Sequence, residues 1–438
     1  MTKLWNKTGT KTHPVIEKYT AGSDYVFDKE LLPFDITASK AHAKGLQKVG
    51  IITAKELKVL LGAFDALSKE AEKGNIPIAP ENEDCHTVVE NYLVKKLGSA
   101  GKKIHTGRSR NDQVLVALRL YMKSHLLILQ KECGELATVS LQFAEKYKQV
   151  PMPGYSHTQQ AMLSSVGHYF SAYAESLLDD ADFLGSILKR IDTNPLGSAA
   201  GFGTALPVDR EYTTKELGFA SVQQNTLYCQ NSRGKFESLF LEGLAQMMMT
   251  LGKCANDLIL FTSQEFGFFS VDPSLTTGSS IMPQKQNLDA MELLRGNVSV
   301  VISNQLMIKD ISKNLLSGYN RDLQLIKKPL MESVAIAHDS LEVVGIFLEG
   351  IIPNAENIKA KITRDIFAAD IANQLVEKGI PFRDAYTQAL DILEGQTVDI
   401  EKNLASKKTL GAPGNLQLGA LKKRAMKMLK HKNKKYSP

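Results

Sequence analysis

The run Gly278-Ser-Ser-Ile-Met-Pro-Gln-Lys-Gln-Asn287 concentrates groups that could carry chemistry. A glycine followed by two small hydroxyls makes a pliable loop rich in backbone donors. Lys285 adds a positive charge able to meet an oxyanion, and Asp289 and Glu292 follow at the expected start of a helix. A serine there can lose its proton only if the resulting oxyanion is strongly stabilised. The competing reading is a polar loop capping that helix. His105-Thr-Gly-Arg-Ser-Arg-Asn-Asp112 is a second dense run. Arginine's planar fork matches a carboxylate, and an adjacent helix N-terminus supplies amide donors and the positive end of a dipole. A carboxylate grip and an N-cap flanked by solvated arginines fit this composition equally. In Gly154-Tyr-Ser-His157 a hydroxyl sits beside an imidazole, whose pKa near neutrality suits proton transfer. A capping serine next to a satisfied histidine is the plainer alternative. Glu83-Asp-Cys-His86 offers several ligand types at a spacing foreign to zinc sites, and no metal is expected. Gly197-Ser-Ala-Ala-Gly-Phe-Gly203 matches neither phosphate-loop pattern and is expected to be a flexible turn between helices.

Positioning such scattered runs requires long, rigid elements. Between Val114 and Tyr147 the only breaker is Gly134, and Leu115, Leu118, Met122, Leu126 and Leu129 recur at three- and four-residue steps. Similar windows run over 159–191, 234–262, 289–316 and 323–349. Helices of roughly 30 residues, about 45 Å, usually lie in a bundle. Gly and Pro cluster between them, strand-like alternation is sparse, and no βαβ rhythm is found. The expected fold is all-α in three domains. These are a helical N-terminal domain over 1–105, a central long-helix bundle over 106–353 carrying loop 278–287, and a helical C-terminal domain over 354–438 with a basic tail. Short helices with mixed loops are expected in the outer two.

The chain has 438 residues, 43% hydrophobic and 23% charged, which excludes a wholly disordered or collagen-like chain. The most apolar stretch, 239–261, contains Glu242, Lys253 and Asp257, so no membrane helix is expected. The N-terminus lacks a signal-type apolar core, and the four cysteines form no CxxC pair. Free thiols in a reducing cytoplasm follow. The net charge of +6 is uneven: residues 421–438 carry eight Lys or Arg and no acid, leaving 45 basic against 47 acidic residues elsewhere. The body is therefore no nucleic-acid surface. The tail reads as a solvated helix end, with RNA or anionic lipid as the alternative partner.

GSSIMPQKQN resembles the signature loop of the fumarase/aspartase superfamily, which includes adenylosuccinate lyase, argininosuccinate lyase and the delta-crystallins. HTGRSRNDQV (105–114), EDCHT (83–87), NPLGSAA (194–200) with PVDR (207–210), and YNRDLQ (319–324) resemble its argininosuccinate lyase family. The likeness covers about residues 15–400. It implies that Ser279 is the general base and that Lys285 stabilises its oxyanion and a doubly charged intermediate. His157 paired with Glu292 would serve the acid half-reaction. His86, Ser109, Arg110, Asn111, Ser156, Asn287, Tyr319, Gln324 and Lys327 match active-site or substrate-contacting positions. Ser156, Gln286, Leu288, Leu325 and Ile326 depart from the family's usual residues. Trp5 lacks the usual following GGRF, leaving Ser23 and Asp24 as candidates for the substrate's amino group.

The resemblance implies reversible β-elimination of argininosuccinate to arginine and fumarate through an aci-carboxylate, with no metal or organic cofactor. It also implies a homotetramer in which His157, Arg110 and Ser279 of each site come from three subunits. Another succinyl-adduct lyase, such as adenylosuccinate lyase, is the alternative enzyme. A crystallin-like structural role is the alternative class.

Overall fold

A computed structural model describes residues 13–395 and 397–430. The helices that position the site are α1 (Asp24–Lys48), α2 (Ala54–Glu72), α3 (Cys85–Leu97), α4 (Arg110–Lys146), α5 (Val166–Ile191), α6 (Lys235–Thr262), α7 (Asp289–Ser312) and α8 (Lys327–Gly350). Beyond them come α9 (Ala368–Glu377), α10 (Phe382–Glu394) and α11 (Leu418–Lys430). The 37-residue α4 is the spine of the molecule. It packs along α5 and also meets α1, α8 and α11, while α6 packs against α5, α7 and α8. This is the expected bundle: each helix buries an apolar stripe on its neighbours, as with Leu118, Met122, Leu126, Leu129 and Leu136 of α4.

Four of the five long windows become helices within a few residues of the expected bounds. The fifth requires a correction. Residues 159–165 are not helix but strand β2 (Gln159–Ser165), paired antiparallel with β1 (Pro151–Ser156). The hairpin turns at His157 and Thr158, both with positive φ (53° and 61°). Pro151 and Pro153 favour extended backbone at the entry, and the helix starts only where the Ser165 hydroxyl caps it. A second correction falls on the N-terminal region, where α1 and α2 are 25 and 19 residues long rather than short. Pro33 interrupts the pattern of α1 without ending it.

One large core gathers apolar side chains from Leu31 through Ile358 and includes Leu418 and Ala425 of α11. A smaller core of Leu163, Ile366, Phe367, Ile371, Ala372, Leu375, Ala385, Ala389, Leu393 and Leu404 holds the C-terminal helices together. α11 lies on the bundle through ion pairs as well: Lys422 with Glu145 (3.2 Å), and Arg424 with Asp179 and Asp182 (2.6 Å each). Two of the described basic residues of the tail, Lys422 and Arg424, are thus matched by acids of the body; residues 431–438 lie outside the described region. All four cysteines are free, as their spacing predicted, and all four are buried. No described helix is long and apolar enough to cross a membrane.

Candidate active site

Three separated parts of the chain carry the candidate residues. The first is a packed polar cluster where α1, the start of α3, the turn 105–112 and the start of α8 meet. Lys327 is almost fully enclosed, and its Nζ lies 2.7 Å from both Asp24 Oδ2 and Asp28 Oδ1. Burial works against its charge, but Asp28 and Asp24 outweigh that and raise its pKa. Burial raises the Asp24 carboxyl more than Lys327 lowers it. The other oxygen of Asp28 accepts the Cys85 amide (2.9 Å), which fixes the start of α3. One residue on, His86 is buried with Nδ1 3.0 Å from Asp35 Oδ2, and its Nε2 has no hydrogen-bond partner. Burial opposes charge on both, yet each outweighs it for the other: His86 is raised, Asp35 lowered.

Asp28, Cys85 and His86 bring ligand-type atoms close together. The Lys327 ammonium already stands on Asp28, so the cluster's positive charge comes from the chain itself.

Arg110 spans the same corner, donating to Asp84 Oδ2 (3.1 Å) and Thr87 Oγ1 (2.7 Å). Arg321 donates to Glu83 Oε1 (3.0 Å). Ser109 is the N-cap of α4, its Oγ accepting the Asn111 amide (3.2 Å). Gln324 donates to the carbonyls of Thr20 and Ala21. Tyr319 lies 5.5 Å beneath the Arg233 guanidinium. The structure therefore brings the EDCHT, HTGRSRND and YNRDLQ runs together along one candidate wall.

The second part is the hairpin tip, where Ser156 and His157 are exposed. Positive φ is costly for a β-branched residue such as Thr158, so this tip is held against local preference. The third part is loop 278–287. It closes through paired backbone bonds between Thr277 and Asn287 (3.0 and 2.9 Å). Ser279 Oγ accepts the amides of Ile281 (3.3 Å) and Met282 (3.1 Å). Two amide donors on that oxygen are what an alkoxide needs. Lys285 is exposed on the loop and Glu292 on the first turn of α7. Among the described residues, no hydrogen bond or ion pair joins His157, Ser279, Lys285 or Glu292 to one another or to the polar cluster. A cleft of about 1280 Å³ between the hairpin, α5, α6 and the C-terminal helices contains none of the candidate residues.

Sequence reasoning missed Asp28, Asp35 and Asp112 and underweighted Asp24. A signal existed: positions 24, 28 and 35 are spaced four and seven apart, so they share one face of a helix.

The arrangement of long helices is that of the fumarase/aspartase lyases. The chain superposes on EDDS lyase, in a variant with bound fumarate, with a TM-score of 0.78 at 21% identity, covering 96% of this chain and 91% of that one. A class II fumarase from Schistosoma mansoni gives 0.73 at 16% identity, with 95% of each chain covered. At the sequence level, residues 7–303 match the lyase family model. The argininosuccinate lyase of Thermotoga neapolitana is 44% identical over 88% of this chain and 96% of its own. That of Xanthomonas campestris pv. campestris is 41% identical over 96% of this chain and 98% of its own. The chain belongs to the argininosuccinate lyase family.

Proposed function

We propose that the chain catalyses reversible β-elimination of argininosuccinate to arginine and fumarate, with each residue role carried as follows. Ser279 removes the proton from the carbon beside a substrate carboxylate. Its alkoxide is supported by the Ile281 and Met282 amides and by Lys285. The resulting aci-carboxylate dianion is met by Lys285 and the loop's amides, donors fixed before the charge develops. His157, paired with Glu292, serves the acid half-reaction that lets the guanidinium nitrogen leave. Ser109, Arg110, Asn111, Ser156 and Asn287 hold the succinyl end; Tyr319, Gln324 and Lys327 bound the arginine end, with His86 behind them. The Asp24–Lys327–Asp28 group offers a cationic substrate end a carboxylate lining without leaving buried charge unpaired.

The single observation that carries this reading is joint. Relatives named argininosuccinate lyase match nearly end to end, and the HTGRSRND, EDCHT and YNRDLQ runs converge on one wall.

The same reading includes a homotetramer, because among the described residues no hydrogen bond or ion pair links His157 or Ser279 to that wall inside one chain. Helix α7 supports it. Leu293 (68% exposed), Val300 and Met307 (38% and 42%) repeat at seven-residue steps, and Leu306 is 64% exposed. A heptad stripe open to water on a helix this long marks a bundle seam with another chain. The decisive experiment offers purified protein argininosuccinate without added cofactor and follows fumarate absorbance and arginine release. Turnover that requires adenylosuccinate instead, or no turnover in a stable tetramer, refutes the reading.

A further inference from the structure

The glycine-rich run 197–203 reads in sequence as a turn with no assigned role, and in the structure its amides point at an anion supplied by the chain. Asp112 is fully buried. Its Oδ2 accepts the backbone N–H of Gly197 (3.0 Å) and of Ala199 (3.0 Å). Its Oδ1 accepts the N–H of Ser109 (2.9 Å). Two convergent amides of such a loop form an anion-binding nest. Gly197 has φ +85°, and Ala199, which is not glycine, sits at φ 53°. The far side of the loop is latched by Arg210, which donates to the carbonyls of Leu196 (3.1 Å), Gln223 (2.8 Å) and Asn194 (3.3 Å).

We propose that Asp112 is the positioning residue for substrate grip: its carboxylate ties the Ser109-Arg110-Asn111 turn to loop 197–201 and so fixes where those three side chains stand. The inference rests on the roles proposed above for Ser109, Arg110 and Asn111. Fold stability alone does not call for a charge here. A neutral glutamine completes a capping box at a helix start as glutamate does, whereas Asp112, the capping-box partner of Ser109, is an enclosed carboxylate. Burial pushes its pKa up to about 6, against the pull of its three amide donors and of Arg108. An ionised group kept under those conditions fits a task that a weaker acceptor would do less well, namely holding two amides of one segment and one of another at once. Other anchors of the turn reach different elements: Arg108 donates to Ser39 on α1 (2.8 Å), and His42 Nε2 meets the Thr106 carbonyl (3.0 Å). Only Asp112, among the described hydrogen bonds, ties residue 109 to the loop at 197–199.

The test uses Asp112→Asn and Asp112→Ala in the full-length enzyme. Steady-state kinetics with argininosuccinate, thermal midpoint and sedimentation are read together. The expected result for Asp112→Asn is a KM at least tenfold higher, kcat within about threefold of the parent, and a thermal midpoint within 3 °C in an unchanged assembly. Asp112→Ala raises KM further. A KM within twofold of the parent for Asp112→Asn overturns the proposal. So does a variant that is insoluble, or that loses assembly and kcat together, since a merely structural role does that. A parent enzyme with no lyase activity would refute the functional reading itself; an active parent with an unmoved KM in the variants refutes only this clamp.

Discussion

Replacing Lys327 with Met isolates what the buried ammonium does. Methionine keeps much of the aliphatic length, so packing changes little, but Asp24 and Asp28 lose the cation each contacts at 2.7 Å. Asp28 is fully enclosed and Asp24 is largely so. Breaking a buried pair by removing one partner costs about 3–5 kcal/mol, because the remaining charge has neither water nor counter-ion. Part of that is recovered if Asp24 takes up a proton, a step its burial already favours. The unfolding entropy of a chain this long makes 1 kcal/mol correspond to about 1 °C in thermal midpoint, so the expected fall is about 3–5 °C. The sign with pH follows: Asp24, whose folded pKa is raised, binds a proton more readily folded than unfolded. The deficit therefore shrinks as pH is lowered and grows toward neutrality. Differential scanning fluorimetry between pH 5 and 8 reads this, with Asp24→Asn/Lys327→Met as the relief variant. A midpoint within 1 °C of the parent at pH 8, or a double variant no better than the single one, refutes the reasoning. Fluorimetric loss with full catalytic activity would remove Lys327 from the substrate wall while leaving the electrostatics intact.

Four further outcomes follow from the geometry. Ser279→Ala removes the proposed base and is expected to lower kcat by a factor of about 10²–10⁴, the usual contribution of a positioned acid or base; fumarate release at the parental rate excludes Ser279. Leu293→Glu puts a charge on the exposed stripe of α7 and converts the assembly to smaller species with loss of activity; sedimentation at assay concentration checks it, and an active monomer ends the shared-site reading. Changing His157-Thr158 to Asn-Gly relieves positive φ at both positions and raises the thermal midpoint while abolishing turnover; a lower midpoint contradicts the strain argument. His86→Gln separates the His86–Asp35 pair. With His86 raised above 6.5 and Asp35 lowered below 3.8, the parent's advantage in thermal midpoint is largest between those two pH values. It fades as pH rises through the folded-state pKa of His86, or falls through that of Asp35.

Why some of this was legible in sequence and some not comes down to range. The stripe of α4 is written in residues three and four apart, so its helix can be read directly. The GSS loop and the arginine-rich turn are contiguous, so their chemistry is visible before any fold. Residues 159–165 deceive for the opposite reason: nothing local distinguishes their apolar content from the helix that follows. Their strand exists because β1 lies beside them and a strained two-residue turn returns the chain. The 25 residues of α1 are obscured by Pro33, which the surrounding core tolerates.

The polar cluster marks the limit of local reading most clearly. Lys327 meets Asp28 across 299 positions, and Asp112 meets Gly197 and Ala199 across 85 and 87. Each contact consumes a group that composition alone would assign to solvent or to a ligand. The Gly197 loop reads in sequence as a flexible turn, and only the fold reveals that its amides converge on an anion, the Asp112 carboxylate. The same logic runs through Arg110 and Lys327, whose charges are partly spent on Asp84, Asp24 and Asp28. On the proposed roles, a substrate carboxylate would meet an Arg110 already oriented by Asp84 rather than recruit a mobile side chain, and that lowers the ordering cost of binding.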